Sequence, residues 1–134
     1  MIANGVEDIW GPSDVYGIIN LTGDSRPIVM GQVLTGMNPE DPPKEGMALV
    51  PVAWTKTFTG NKGKTADVFT TTMGHSGDLK SEGFRRLLVN ACFWCLKLEV
   101  PEKANVDLIG EYDPNPIGME KYKKGLKPSD HQLP

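Results

Sequence analysis

The sequence is poor in cysteine and histidine and has no long hydrophobic run. Its 134 residues include two cysteines and two histidines, too few at suitable spacing to predict a structural zinc site. No apolar stretch approaches the roughly 20 residues of a transmembrane helix. The first residues, MIANGVED, lack the basic and apolar regions of a signal peptide. We therefore expect a cytoplasmic protein if the chain is complete, without a membrane partner, a metal or another cofactor.

An excess of positive charge is also absent. The formal net charge is −3 at pH 7, and the basic residues form no stripe or face of the kind that binds nucleic acid. The densest group of lysines lies near the C-terminus among acidic residues, at Lys121, Lys123, Lys124 and Lys127. We therefore expect no nucleic-acid partner.

Three segments have the composition of β-strands: residues 25–34, 47–58 and 66–73. All three are rich in β-branched and other apolar residues and are bounded by glycine or proline. Pro51 lies inside the second segment and lacks a backbone donor, which predicts a strand start, a bulge or an edge position there. Because residues 59–65 make a short loop, the second and third segments are predicted to be antiparallel neighbours.

Residues 81–98 form the one long helix that the sequence predicts. Ser81 is the expected N-cap, and Pro101 marks the end of the helix. Arg85, Arg86 and Lys97 are expected to face water. The apolar side chains recur at helical spacing on one face, which is expected to be buried and which carries both cysteines as reduced thiols: Phe84, Leu87, Leu88, Ala91, Cys92 and Cys95.

The helix and the strands predict an α/β domain over residues 1–104, followed by an extended tail over residues 105–134. The tail is interrupted by proline and glycine, and we expect it to pack on its own subunit or on a neighbour. Because an α/β sheet buries both faces, one helix leaves one face uncovered. We therefore expect either a homo-oligomer or a larger domain whose remainder is missing. The apolar anchors of the tail are Ile117, Met119, Tyr122 and Leu126.

The candidate site begins where the third strand ends, at Gly74, His75 and Ser76. The carboxyl ends of strands are where open α/β sheets place ligand and catalytic groups. His75 can serve as an acid or a base near neutral pH, and Gly74 permits a close backbone approach to a ligand. The hydroxyl of Thr72 is a candidate contact for a ligand. The alternative is that His75 is an ordinary loop histidine bonded to the backbone.

Trp10 is the candidate for stacking on a sugar ring, because it lies beside the turn-forming Gly11 and Pro12. No nucleophile is evident to work with His75, since Cys92 and Cys95 are assigned to the core face of the helix. We therefore do not expect this chain alone to be a complete enzyme.

Three segments resemble the trehalose-utilisation, or ThuA-like, family. They are PVAWTKTF (51–58), VFTTTMGHS (68–76) and FRRLLVNACFWCL (84–96), and GVEDIWGPSDVY (5–16) extends the likeness. The resemblance covers about residues 5–100 in the family's order and spacing. It implies a class I glutamine amidotransferase-like fold, which is a flavodoxin-like α/β sandwich, and a link to carbohydrate metabolism.

In the related amidotransferases, a histidine after a late strand works with a cysteine nucleophile from an earlier part of the domain. His75 matches that histidine by position. The amino-terminal half, which would carry the nucleophile, is absent here, so the resemblance implies the carboxyl half of such a domain. Its implied partner is a sugar-type small molecule. The alternative is a non-catalytic structural or interaction module that forms a homo-oligomer.

Overall fold

The structure is a computed structural model that describes residues 1–12, 16, 18, 20–114 and 124–131. It combines a three-stranded antiparallel sheet of order β1-β2-β3 with one α-helix, which confirms the α/β class. Three of the predicted tail anchors, Ile117, Met119 and Tyr122, lie outside the described residues. The elements are β1 (Arg26–Gly31), β2 (Val50–Thr59), β3 (Thr65–Thr71), α1 (Glu82–Cys95) and 3-10 helices at Ser76–Lys80 and Pro128–His131.

The predicted hairpin of β2 and β3 is confirmed. Its ladder runs from the pair Thr59–Thr65 next to the turn to the pair Ala53–Thr71 at the far end. Pro51 is the second residue of β2 and precedes the start of this ladder. The proline therefore lies near a strand start, one of the positions where a missing backbone donor is tolerated.

Helix α1 begins at its predicted cap, where the Ser81 hydroxyl accepts a hydrogen bond from the Phe84 amide at 3.3 Å. The side chains of Phe84 and Leu87 are completely buried. The helix lies against β3, and the first residues of the chain complete the core. Its buried apolar members are Ile2, Val52, Ala53, Met73, Phe84, Leu87 and Ala91.

The helix ends at Cys95, three residues earlier than predicted. Lys97 has φ 60°, the left-handed conformation that usually falls to glycine. The amide of Leu98 donates to the Phe93 carbonyl at 2.9 Å, and that of Lys97 donates to the Trp94 carbonyl at 3.0 Å. These two bonds form a Schellman motif, so the helix ends through its own backbone well before Pro101.

Two polar residues of α1 are buried, and for Arg86 the predicted exposure is wrong. Asn90 is 0% exposed and Arg86 is 5% exposed. The amide nitrogen of Asn90 donates to the carbonyls of Ile2 and Asn4, both at 2.8 Å. Arg86 donates to the carbonyl of Ala104 at 3.0 Å. Buried carbonyls outside regular structure need donors, and these two side chains supply them to the chain's first turn and to the segment after the helix.

The predicted burial of both cysteines is wrong for Cys92, which is exposed, whereas Cys95 is half-buried. At about 100° per residue, Cys92 lies roughly 100° around the helix from Ala91 and about 140° from Leu87. This position is outside the arc that faces the sheet. Because cysteine is an apolar residue type, the sequence pattern placed Cys92 on the buried face of the helix, but the packing of the helix leaves it exposed.

The two faces of the sheet have different surroundings. Thr55 and Phe69 are direct partners in the ladder and belong to the face that packs toward the core. Side chains alternate along a strand and direct partners share a face, so Trp54, Phe58 and Val68 lie on the opposite face. No helix or strand of the described chain packs there, and Phe58 is 61% exposed.

Candidate functional site

The loop after β3 continues the sheet for one residue before it turns. The amide of Thr72 donates to the Val52 carbonyl at 3.0 Å, and its hydroxyl lies 3.5 Å from the same oxygen. Met73 is then buried in the core, which holds the start of the loop against the helix side of the sheet. Gly74, His75 and Ser76 therefore leave the sheet from an anchored backbone.

Asp78 organises this loop, although the sequence analysis did not single it out. Its side chain is completely buried, and its Oδ2 accepts hydrogen bonds from the amides of Gly74 at 2.9 Å and His75 at 3.0 Å. The signal was present as a cap residue followed three positions later by an acidic one, the spacing of a capping box. It was missed because the capping residue here is histidine rather than serine or threonine.

His75 is half-buried and caps the short 3-10 helix Ser76–Lys80. Its Nδ1 accepts a hydrogen bond from the Gly77 amide at 2.9 Å. In the neutral ring, an acceptor at Nδ1 places the proton on Nε2. Among the described residues, Nε2 has no partner, so it is the atom of this ring that can donate to a ligand oxygen.

The Asp78 carboxylate binds backbone amides of the loop, and His75 Nδ1 is occupied by Gly77. The ring thus lacks the carboxylate at Nδ1–H that orients a catalytic histidine as a general base. In this arrangement, His75 is suited to donating a hydrogen bond through Nε2 rather than to accepting a proton from a nucleophile.

Residues 7–12 run directly over this loop and over the start of α1. A Cβ placed on Gly11 would lie 3.2 Å from Asp78 Oδ1, and one on Gly77 would lie 3.2 Å from Pro12 Cγ. A Cβ on Gly83 would lie only 2.4 Å from the Glu7 carbonyl oxygen. Because these positions are glycines, residues 7–12 approach the loop and the start of α1 more closely than side chains would allow. This contact brings Trp10 to the His75 loop.

The segment that follows α1 also reaches the site. The Tyr112 hydroxyl donates to the Ser76 carbonyl at 2.8 Å, and Arg85 donates to the Val106 carbonyl at 2.8 Å. Val106 is buried. The part of the tail next to the domain therefore packs on its own subunit, whereas Leu126, the tail anchor within the described residues, is 52% exposed.

Two clefts lie beside the loop. The first, of about 510 Å³, separates the N-terminal segment from β1, and Met73 lies in its wall. The second, of about 460 Å³, lies beside the start of α1 and includes Gly77. Both volumes are within the range of small-molecule sites, which is about 300–1,000 Å³. Asp8 and Trp10 border both clefts.

The structure brings the predicted residues together only in part. Gly74, His75 and Ser76 form one tied loop, and Trp10 stands beside it between the two clefts. Neither cleft is lined by Thr72, Gly74, His75 or Ser76. His75 therefore lies outside the lining of both clefts, two residues from Gly77, which lines the second.

Charge at the second cleft is partly compensated. Glu82 lies in its wall and forms an ion pair with Arg86 one turn along the helix. The hydrogen bond and the positive charge from Arg86 hold the pKa of the Glu82 carboxyl below its ordinary value. This carboxylate therefore stays ionised in mildly acidic solution.

Across the described ranges, no three His, Cys, Asp or Glu side chains cluster as metal ligands. No helix in those ranges has the length and apolarity to cross a membrane. Comparisons with protein-family models, curated proteins and solved structures find no match for this chain.

Proposed function

We propose that this chain is the carboxyl half of a ThuA-like domain and that it binds a sugar-type small molecule beside His75. The fold proposed for the whole domain is the flavodoxin-like α/β sandwich of class I glutamine amidotransferase-like proteins. The proposed biological setting is the metabolism of trehalose or a related sugar.

The observation that carries this proposal is the built loop at the end of β3. Asp78 and Gly77 fix the backbone and ring of His75 and leave its Nε2 available to a ligand. A donor held in place before binding loses little entropy when the ligand arrives. Sugar hydroxyls offer acceptor oxygens to such a donor, and the half-buried indole of Trp10 stands next to the loop as a stacking surface.

The resembling segments also meet in space. PVAWTKTF lies in the central strand β2, VFTTTMGHS runs along β3 into the loop, and FRRLLVNACFWCL forms most of α1. These elements are neighbours in the core. The segments that resemble the family are therefore contiguous in space, which supports a shared fold.

This chain is proposed to bind rather than to catalyse. The imidazole ring of His75 has no hydrogen bond to a serine, cysteine or carboxylate side chain among the described residues, and the exposed Cys92 lies on α1. Any covalent chemistry would therefore need groups from the remainder of the proposed domain or from a second subunit.

The test uses trehalose and glucose as probes in amide-detected NMR titrations. We expect the signals of residues 72–77 and the Trp10 indole to shift on binding. His75→Ala should weaken binding about tenfold, as for the loss of one good hydrogen bond. It should lower the free energy of unfolding by about 1 kcal/mol, as for the loss of a helix cap.

His131→Ala, at the other histidine of the chain, is the matched control and should leave binding unchanged. Two results would contradict the proposal. One is the absence of any shift in the loop at millimolar sugar. The other is a loss of several kcal/mol in His75→Ala, which would identify a structural histidine.

A second candidate function is a non-catalytic module that forms a homo-oligomer. The observation that favours it is the sheet face over which no described helix or strand packs, where the exposed Phe58 lies with Trp54 and Val68. Sedimentation over a concentration series should then show a dimer that Phe58→Glu dissociates. Leu96→Glu, on the exposed end of α1 at 69% exposure, should leave the dimer intact. A wild-type monomer at all concentrations would exclude this candidate.

A further inference from the structure

Acidic residues outnumber basic ones among the described residues that line the two clefts beside the His75 loop. The first is lined by Glu7 and Asp8 and, among the described residues, by no lysine or arginine. The second is lined by Asp8, Glu40 and Glu82, and Lys80 is the one basic residue in the described part of its lining. Together they form one acidic region around Trp10.

Most of these acidic residues have no ion-pair partner in the part of the chain that the structure describes. The Glu82 carboxylate is paired with Arg86. In the described part of the chain, Glu7, Asp8 and Glu40 form no salt bridge. Because charges at the rim of a cleft with low-dielectric walls act on whatever enters it, this region attracts cations and repels anions.

The wall of the first cleft is apolar behind these charges. Val52 and Met73 are buried members of the core that also reach the cleft, and Ile9 and Val29 pack against them. A wall of this kind suits the faces of a ring rather than a small hydrated ion. The first cleft thus combines an apolar wall with acidic residues in its lining.

Trp10 lies where the two clefts meet, together with Asp8. Indole is the aromatic group that binds cations best across its face. Asp8 carries its carboxylate two residues before the indole, on the backbone that Gly83 holds against α1. The charged group and the aromatic group are therefore presented by one fixed segment.

We propose that the clefts bind a small ring molecule that carries a protonated amine, such as an amino sugar. The amine lies between the indole of Trp10 and the carboxylates of Glu7 and Asp8. The ring lies on the apolar wall. This inference rests on the proposed function for the sugar nature of the ring and adds the charge that the ligand must carry. It also predicts that a sugar phosphate is rejected.

In the test, the whole chain is titrated with four probes of similar ring size, and binding is measured by NMR and calorimetry. D-glucosamine and D-glucose differ in one amine, D-glucose 6-phosphate carries negative charge, and cyclohexylamine is a cation without hydroxyls. We expect D-glucosamine to bind about tenfold more tightly than D-glucose, as for one cation–π contact and one exposed ion pair. D-glucose 6-phosphate should bind most weakly.

The matched variants remove the same charge at two places. Glu7→Gln with Asp8→Asn should abolish the preference for D-glucosamine over D-glucose. Glu99→Gln with Asp107→Asn, at exposed positions outside both clefts, should keep it. The amide spectrum of each variant shows whether it is folded. Trp10→Leu should weaken the binding of every probe that occupies the clefts.

The outcomes separate the two proposals. Equal binding of D-glucose and D-glucosamine would leave the sugar function standing and overturn the inference about charge. Binding of cyclohexylamine in the clefts without binding of D-glucose would uphold the amine site and overturn the sugar function. If no probe shifts the signals of the clefts or of the His75 loop, both are overturned.

Discussion

The two faces of the sheet are built in different ways. On the covered face, Phe84 and Leu87 are fully buried, and Asn90 ties the helix to the first turn of the chain. On the opposite face, Phe58 lies exposed and no helix or strand of the described chain packs over it. The difference teaches that burial of apolar side chains in the described chain is concentrated on the helix side of the sheet.

The largest expected effect on stability comes from comparing one phenylalanine on each face of the sheet. Phe84→Ala removes a fully buried ring and should cost about 3–5 kcal/mol in the free energy of unfolding. Phe58→Ala, at 61% exposure, should change the same quantity by about 0.5 kcal/mol. Urea unfolding of both variants, at a concentration where the protein is monomeric, measures the contrast. Equal losses would mean that the face of Phe58 is buried after all.

The next effect concerns the polar anchor on the helix. Asn90→Leu keeps the number and branching of the side-chain heavy atoms but leaves the carbonyls of Ile2 and Asn4 without their donor. The expected cost is about 2 kcal/mol, because buried acceptors lose their partners. Cys92→Leu, two residues along at an exposed position, is the control and should be nearly neutral in the same urea experiment. If Asn90→Leu is as stable as the wild type, the chain's first turn is not held by this contact.

A comparable effect should follow from the close approach at Gly83. Gly83→Ala places a methyl group 2.4 Å from the Glu7 carbonyl oxygen, so the N-terminal segment must shift, at an expected cost of about 1–3 kcal/mol. Gly60→Ala is the matched control, because its nearest neighbours stand at the ordinary distance of 3.7 Å. Amide spectra should show changes at residues 7–12 in the first variant and none there in the second. Unchanged spectra in Gly83→Ala would refute the proposed contact.

The smallest effect is that of pH on the ion pair of Glu82 and Arg86. Because the folded-state pKa of Glu82 is lowered from 4.5 by Arg86, the unfolded carboxyl binds a proton more readily than the folded one. The pair therefore stabilises the fold above about pH 4.5, and this contribution is lost as the pH falls through the lowered pKa.

Denaturation midpoints of the wild type and Glu82→Gln should consequently converge between about pH 6 and about pH 3. Glu99→Gln, at an exposed position with no ion pair in the described chain, is the control. Its denaturation midpoint should not converge with that of the wild type over this pH range. A constant gap for Glu82→Gln over the same range would mean that the ion pair does not act on stability.

The parts of the fold that sequence patterns predicted are those decided by neighbours along the chain. The hairpin of β2 and β3 follows from a short glycine-containing loop between two β-rich segments. The N-cap at Ser81 follows from a hydroxyl one residue before a helical pattern. In both cases the interacting groups are a few residues apart, so local chemistry is enough.

The parts that were missed depend on distant partners. Arg86 looks like a surface residue in the helical pattern, yet it is buried because Gly5 and Ala104 bring carbonyls to it. Cys92 looks like a core residue, yet the sheet does not extend over its side of the helix. For the candidate site, the sequence indicated His75 and Trp10 separately, and only folding showed that Gly11 and Asp78 bring their segments together.

By itself, the sequence determined that this chain forms an antiparallel hairpin and a capped amphipathic helix with a histidine just beyond a strand. Those features depend on residue spacing, which short stretches carry in full. Tertiary structure alone decided which face of the sheet is covered, which polar side chains are buried, and where the clefts and their charges lie. The physical reason is that burial and electrostatic fields are properties of surfaces assembled from segments far apart in the chain.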